Sequence, residues 1–243
     1  MSIYTYHYQI KYSDVDQNNR LTLKSLVALL QEGAAFQSVN AGYSVNDIPK
    51  THSAWIVLNW KVQFFKHPHA YEKLIVQTWP RTMDALFSYR DFEVYDDQQA
   101  LIAIASSKWV LVETQTKKIK KIQPEVAEAY GGITNKAVFD KPWEEKINVP
   151  EKLSLRFKYT VQRRDIDTNG HVNNLHYIDY ALETLDEKIY SENCFDNIEI
   201  IYKKEIKYKE KIRCYYTYQN NMHIITIKNE DDSIIHAIVK LFS

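Results

Sequence analysis

Arg163-Arg164-Asp165-Ile166-Asp167-Thr168-Asn169-Gly170-His171 reads against Tyr12-Ser13-Asp14-Val15-Asp16-Gln17-Asn18-Asn19-Arg20 at an offset of 151 residues. The register holds without a gap from Asp14/Asp165 to Glu32/Glu183. An alternating, Tyr-rich stretch precedes each copy, Tyr4-Thr5-Tyr6-His7-Tyr8-Gln9-Ile10 in one and Arg156-Phe157-Lys158-Tyr159-Thr160-Val161 in the other. A period of two predicts a strand. A helical stripe follows each copy: Leu23, Leu26, Val27, Leu30 and Ala34, then Leu175, Ile178, Ala181, Leu182, Leu185 and Ile189. Such spacing puts the apolar side chains on one helix face. Asn173 and Asn174 are candidate caps for the second helix, because short amide side chains satisfy orphan N–H groups.

Strand patterns fill the rest of each half. They run over 54–65, 73–79, 85–95 and 101–113, and again over 198–207, 211–218, 222–228 and 233–242, with Asp96-Asp97 as a turn. Pro124 to about Pro150, holding Gly131-Gly132 and Pro142, reads as the connection. The expected organisation is an N-terminal repeat over 1–135, a linker region over 136–150 and a C-terminal repeat over 151–243. Each repeat is an α+β layer, a sheet covering one helix stripe, and the two are expected to join or pack as an internal pseudo-dimer.

With 31 basic and 31 acidic side chains the 243-residue chain carries no net charge. That opposes a general nucleic-acid binder, whose phosphate contacts need a cationic surplus. Hydrophobic residues make up 45%, and only 5 Gly and 6 Pro are present, which excludes collagen and low-complexity disorder. Two cysteines, Cys194 and Cys214, are too few for a disulfide framework and belong to no metal-ligand cluster. No apolar run approaches the ~18 residues of a membrane helix. The N-terminal Met1-Ser2-Ile3-Tyr4 stretch has no signal-peptide pattern, so a cytoplasmic location is expected.

Asp167-Thr168-Asn169-Gly170-His171-Val172-Asn173-Asn174-Leu175-His176-Tyr177 resembles the signature of the acyl-acyl-carrier-protein thioesterases. Tyr202-Lys203-Lys204-Glu205 resembles their Tyr-Arg-Arg-Glu motif, and Leu30-Gln31-Glu32, Ala54-Trp55-Ile56-Val57 and 108–118 match in the family's order. The resemblance spans almost the whole chain. It implies a double hotdog fold, two tandem repeats with a long helix wrapped by an antiparallel sheet. It also implies hydrolysis of fatty acyl thioesters on acyl carrier protein, with no metal and no cofactor. By the same resemblance, the catalytic Asp, Asn, His and Glu fall on Asp167, Asn169, His171 and Glu205. Plant members carry a Cys directly after the Glu. Here that position is Ile206, so no thiol nucleophile stands there. Those members also carry a plastid-targeting extension, so a bacterial-type enzyme is expected.

Thioester hydrolysis needs an activated water and a polarised carbonyl. Gly170 allows a tight turn before a helix, whose first N–H groups would face an oxyanion. Asn169 adds an amide donor, His171 can donate or accept, and Asp167 can orient a neighbour. Glu205, in a strand pattern beside Ile201 and Ile206, is expected to have a raised pKa suited to a base. Whether His171 or Glu205 takes the proton stays open. Singly, these residues read as a turn, a structural histidine and a solvated charge run; their joint order carries the catalytic reading. In the first copy Arg20 replaces His171, so one site per chain is expected. Leu26, Leu30 and Phe36 could line an acyl pocket, although any core helix shows the same stripe. Lys117, Lys118, Lys120 and Lys121 form a basic cluster that would steer an acidic carrier protein, or simply a solvated loop. The expected partner is acyl carrier protein, with neither nucleic acid nor a membrane span and with a homodimer left open. An acyl-CoA thioesterase and a non-catalytic acyl-thioester binder are the rival readings. Acyl chain length is not readable from the sequence.

Overall fold

Thr22 starts and Gly42 stops the long helix α1 (Leu23–Ala41). Thr22 Oγ1 accepts the Ser25 N–H at 3.1 Å, and Gly42 takes the left-handed conformation at φ +73°, closing the last turn onto Ser38 and Val39. All five expected stripe residues are buried, Leu26 and Leu30 completely. The helix packs against β1 (Tyr4–Gln9) and β3 (Lys73–Met83). A Cβ on Gly33 would meet the Tyr6 ring at 2.8 Å, so glycine allows this close approach. Phe36 faces outward at 43% exposure, its ring edge-on to Tyr6. It does not join Leu26 and Leu30 in the core.

The computed structural model describes residues 3–140 and 149–243, which form two units, Met1–Pro142 and Trp143–Ser243. The first unit also contains β2 (Ser53–Phe64), β4 (Phe87–Asp96), β5 (Leu101–Glu113) and a short β6 (Ile119–Lys120). Its antiparallel strand order is β1-β3-β4-β5-β2, with β6 on β5. Short helices α2 (Ile48–Thr51) and α3 (Pro124–Ala129) complete it. Tyr130 beyond α3 is buried, its hydroxyl bonded to Trp55 Nε1 at 2.8 Å and Ser38 Oγ at 2.7 Å. Lys136 then pairs with Glu93 and the Val138 N–H bonds Asp91. The expected Asp96-Asp97 turn is present, with Asp96 Oδ1 accepting the N–H groups of Gln98 and Ala100.

The second unit repeats the plan. Its strands are β7 (Ser154–Thr160), β8 (Asn197–Tyr202), β9 (Lys211–Gln219), β10 (Met222–Asn229) and β11 (Ile235–Phe242), in the order β7-β9-β10-β11-β8. Counted within each unit, the two orders are the same. The second helical stripe, however, is divided into α4 (His176–Leu182) and α5 (Glu187–Glu192). The Thr184 and Leu185 N–H groups bond three residues back, to Ala181 and Leu182, and the Thr184 hydroxyl takes the Tyr180 carbonyl. These tighter bonds end the helix without a Gly or Pro. A single long helix is therefore a feature of the first unit alone.

Candidate active site

Asp167 builds the turn that precedes α4. Its Oδ1 accepts the Asn169 N–H at 2.8 Å and lies 3.4 Å from the His171 N–H, while its carbonyl accepts the Gly170 N–H at 3.1 Å. Gly170 is left-handed at φ +78°. Neither Asn173 nor Asn174 caps α4, whose N-cap position is Leu175 with no side-chain cap; Asn173 Oδ1 instead accepts the Leu175 N–H at 3.0 Å in the preceding turn. The helix itself begins only at His176. The N–H groups of Asn169, Gly170 and His171 are thus spent on Asp167. The Asn169 amide also lies 3.4 Å from Asp167 Oδ2.

Glu205 departs from its expected setting. Strand β8 ends at Tyr202, because the N–H groups of Lys203 and Lys204 turn to the His236 carbonyl at 2.8 and 3.2 Å. Glu205 therefore stands in a loop, with its side chain 45% exposed. Its carboxyl is held below the ordinary value by its own backbone N–H, helped by the positive charges of Lys204, His171 and Lys207 against a partial burial cost. The expected rise does not occur, because the backbone hydrogen bond and the nearby basic groups outweigh the burial cost. The buried neighbour is Ile206, whose side chain is 0% exposed.

Main-chain pairing joins the two segments. The Val172 N–H donates to the Ile206 carbonyl at 2.8 Å, and His171 bridges Lys207. Tyr177, 3% exposed, reaches the Ile206 backbone with its hydroxyl and lies near the charges of Glu205 and Asp167, so burial pushes its pKa far up. It stays protonated, with a hydroxyl that can both donate and accept. Its ring meets Tyr202 edge-on at 5.2 Å, and the Tyr202 hydroxyl bonds the Asn174 carbonyl at 3.0 Å. Asp167, Asn169, His171 and Glu205 thereby gather around one turn and one loop. The two tyrosines that pack the site were quoted in the sequence motifs but given no role there.

The first unit preserves the frame and changes the contents. Asp16 Oδ1 accepts the N–H groups of Asn18 and Arg20, Leu21 N–H donates to Pro68, and Arg20 bridges His69. These contacts repeat the Asp-built turn at residue 167 and its main-chain clasp to 206–207, at offsets of 151 and 138. Arg20 stands at the place of His171 and pairs with Asp16 at 3.3 Å. His67 stands at the place of Glu205, so that frame offers no carboxylate.

Residues 1–130 match the family model described as acyl-ACP thioesterase N-terminal domain, and residues 149–240 match the acyl-ACP thioesterase C-terminal domain. The chain belongs to the acyl-ACP thioesterase family. Among its relatives is an oleoyl-acyl carrier protein thioesterase 2, chloroplastic, of Arabidopsis thaliana, 26% identical over 214 residues, covering 79% of this chain and 56% of that protein. The chain thus spans little more than half the length of the curated relatives it matches. The crystal structure of an acyl-ACP thioesterase from Bacteroides thetaiotaomicron is similar at TM-score 0.81 and 25% identity, with 99% of this chain and 97% of that one covered. The 12:0-ACP thioesterase from Umbellularia californica shares the fold at TM-score 0.84 and 20% identity, covering 100% and 97%. The α+β double hotdog expectation agrees with these acyl-ACP thioesterase structures.

Further expectations concern Cys214, the lysine cluster and membrane spans. Cys214 is fully buried and burial pushes its thiol up to about 12, which suits packing and not nucleophilic chemistry. Lys117, Lys118, Lys120 and Lys121 are exposed on and beside the β5–β6 hairpin, where Lys120 Nζ bonds Ser53 Oγ at 2.9 Å. Among the described residues, no helix is long and apolar enough to cross a membrane.

Proposed function

We propose that this protein hydrolyses fatty acyl-acyl-carrier-protein thioesters, releasing free fatty acid and the carrier thiol, with Asp167, Asn169, His171 and Glu205 as its site. The observation that supports the reading is the main-chain pairing of 171–172 with 206–207, which joins the Asp-built turn to the loop that carries Glu205. Asp167 shapes the turn. Asn169 and His171 supply hydrogen-bond donors toward the carbonyl oxygen as it gains charge. Glu205, ionised at neutral pH, accepts a proton from the attacking water, with His171 beside it to share or return that proton. Water adds to the carbonyl carbon, the C–S bond breaks, and the proton goes to the departing thiolate.

A panel of acyl chain lengths, each carried on acyl carrier protein and on CoA, tests the substrate. Turnover on carrier protein well above that on CoA is expected. Preference for CoA would make this a CoA thioesterase on the same fold, and intact thioester retained by the protein would make it a binder. The basic hairpin is part of the proposal. Changing Lys117, Lys118, Lys120 and Lys121 to Glu should raise KM for acyl carrier protein and flatten its salt dependence, because such patches act by steering acidic partners. A short acyl-CoA should be hydrolysed as before. Equal losses on both substrates would assign the cluster to folding.

A further inference from the structure

His236 on β11 is 2% exposed, an imidazole inside the core of the second unit. Its carbonyl accepts the N–H groups of Lys203 and Lys204 at 2.8 and 3.2 Å. The first unit has the same construction, in which the Ile102 carbonyl accepts the N–H groups of Phe65 and Lys66 at 2.8 and 3.3 Å. There the side chain is a fully buried isoleucine. Main-chain geometry therefore does not require histidine at this place, and burying an imidazole costs desolvation that isoleucine avoids.

What the imidazole adds is one bond. His236 Nδ1 lies 3.1 Å from the Lys204 carbonyl oxygen, and because a carbonyl only accepts, the ring proton sits on Nδ1. Nε2 has no hydrogen-bond partner among the described residues. The Lys204 carbonyl belongs to the same planar, trans peptide unit as the Glu205 N–H, so fixing one fixes the direction of the other. That N–H is the backbone group that lowers the pKa of the Glu205 carboxyl. Only the unit with a carboxylate at this place carries the clamp; in the other, the loop leads to His67.

We propose that His236 is a positioning residue for Glu205, its Nδ1–H bond to the Lys204 carbonyl holding the loop so that the carboxylate stays beside His171. The proposal rests on Glu205 being the working carboxylate of the thioesterase site. It is tested on the full chain with acyl-carrier-protein thioester as substrate, using His236→Ile, His236→Asn and His236→Gln. Isoleucine is the first unit's own residue. The asparagine amide nitrogen falls near the place of Nδ1, and that of glutamine near Nε2. His236→Ile and His236→Gln should lower kcat by at least ~10-fold with KM within about twofold, as misplacement of a reacting group does. The acid limb of kcat/KM should move upward, since the carboxylate loses its N–H while Lys204, Lys207, His171 and Tyr177 remain. His236→Asn should restore most of the rate and the limb. Wild-type kcat and pH profile in His236→Ile would overturn the proposal. So would equal activity of the Asn and Gln variants, a contrast that decides the matter even if the Ile variant does not fold. Glu205→Gln separates the two readings: if it keeps full activity the site assignment fails, whereas its inactivity beside an unaffected His236→Ile refutes the clamp alone.

Discussion

At the scale of single residues, Asp167 and Asp16 do the same local work, each accepting the N–H two positions ahead in the turn. What separates the copies is the next polar side chain. Arg20 remains cationic and pairs with Asp16, whereas His171 can exchange a proton and influences the charge of Glu205. Replacing His171 by Ala or Glu205 by Gln should lower kcat by at least ~10²-fold with the circular dichroism spectrum unchanged. The pH profile distinguishes their roles. A carboxylate with a depressed pKa is the proton acceptor above that pKa and is lost only as pH falls through it. If Glu205 is the base, the acid limb of kcat/KM should lie below the ordinary carboxylate range of about 4.3. A limb near ~6.5, the range of free imidazoles, would give the role to His171.

At the scale of elements, the unit that recurs is a turn clasped to a loop. Its tightest residue is left-handed in both copies, Gly170 at φ +78° and Asn19 at φ +60°. Nothing lies within 4 Å of a Cβ built on Gly170, so backbone strain alone decides what fits. Gly170→Asn should be tolerated, since Asn already fills the matching place. Gly170→Val should cost on the order of 1–2 kcal/mol in urea unfolding. Equal stability of the two variants would show that the turn is not held left-handed. Asp16→Ala should likewise cost on the order of 1 kcal/mol through loss of the turn bonds, with kcat nearly unchanged. A large kcat effect there would mean that the first frame takes part in catalysis.

At the scale of the whole molecule, two units with one strand order carry one complete set of chemical groups. Arg20 and His67 replace His171 and Glu205, so the first frame has no imidazole at the turn and no carboxylate at the place of Glu205. Titration with a tight-binding, non-hydrolysable acyl-thioester analogue should therefore find one site per chain. The double variant His171→Ala, Glu205→Gln should retain no second-site turnover. Two equivalent sites per chain would refute this asymmetry.

The duplicated turn, the α1 stripe from Leu23 to Ala34 and the alternating strands were legible in the sequence because each rests on local periodicity. The Asp, Asn, His and Glu set is proposed from the sequence through the family resemblance, whose motifs stand in a fixed order along the chain. Three matters were decided by tertiary structure. The end of β8 at Tyr202 depends on where the Lys203 and Lys204 N–H groups find an acceptor, and the apolar pattern running on to Ile206 hides that choice. The division between α4 and α5 comes from bonds of Thr184 and Leu185 that propensity does not announce. The lowered pKa of Glu205 follows from its own N–H and from Lys204, His171 and Lys207 nearby, against a partial burial cost, and not from its apolar sequence neighbours. Periodicity reports which side of an element is apolar. It does not report which distant carbonyl or charge a polar group will meet, because those partners are brought together only when the chain folds.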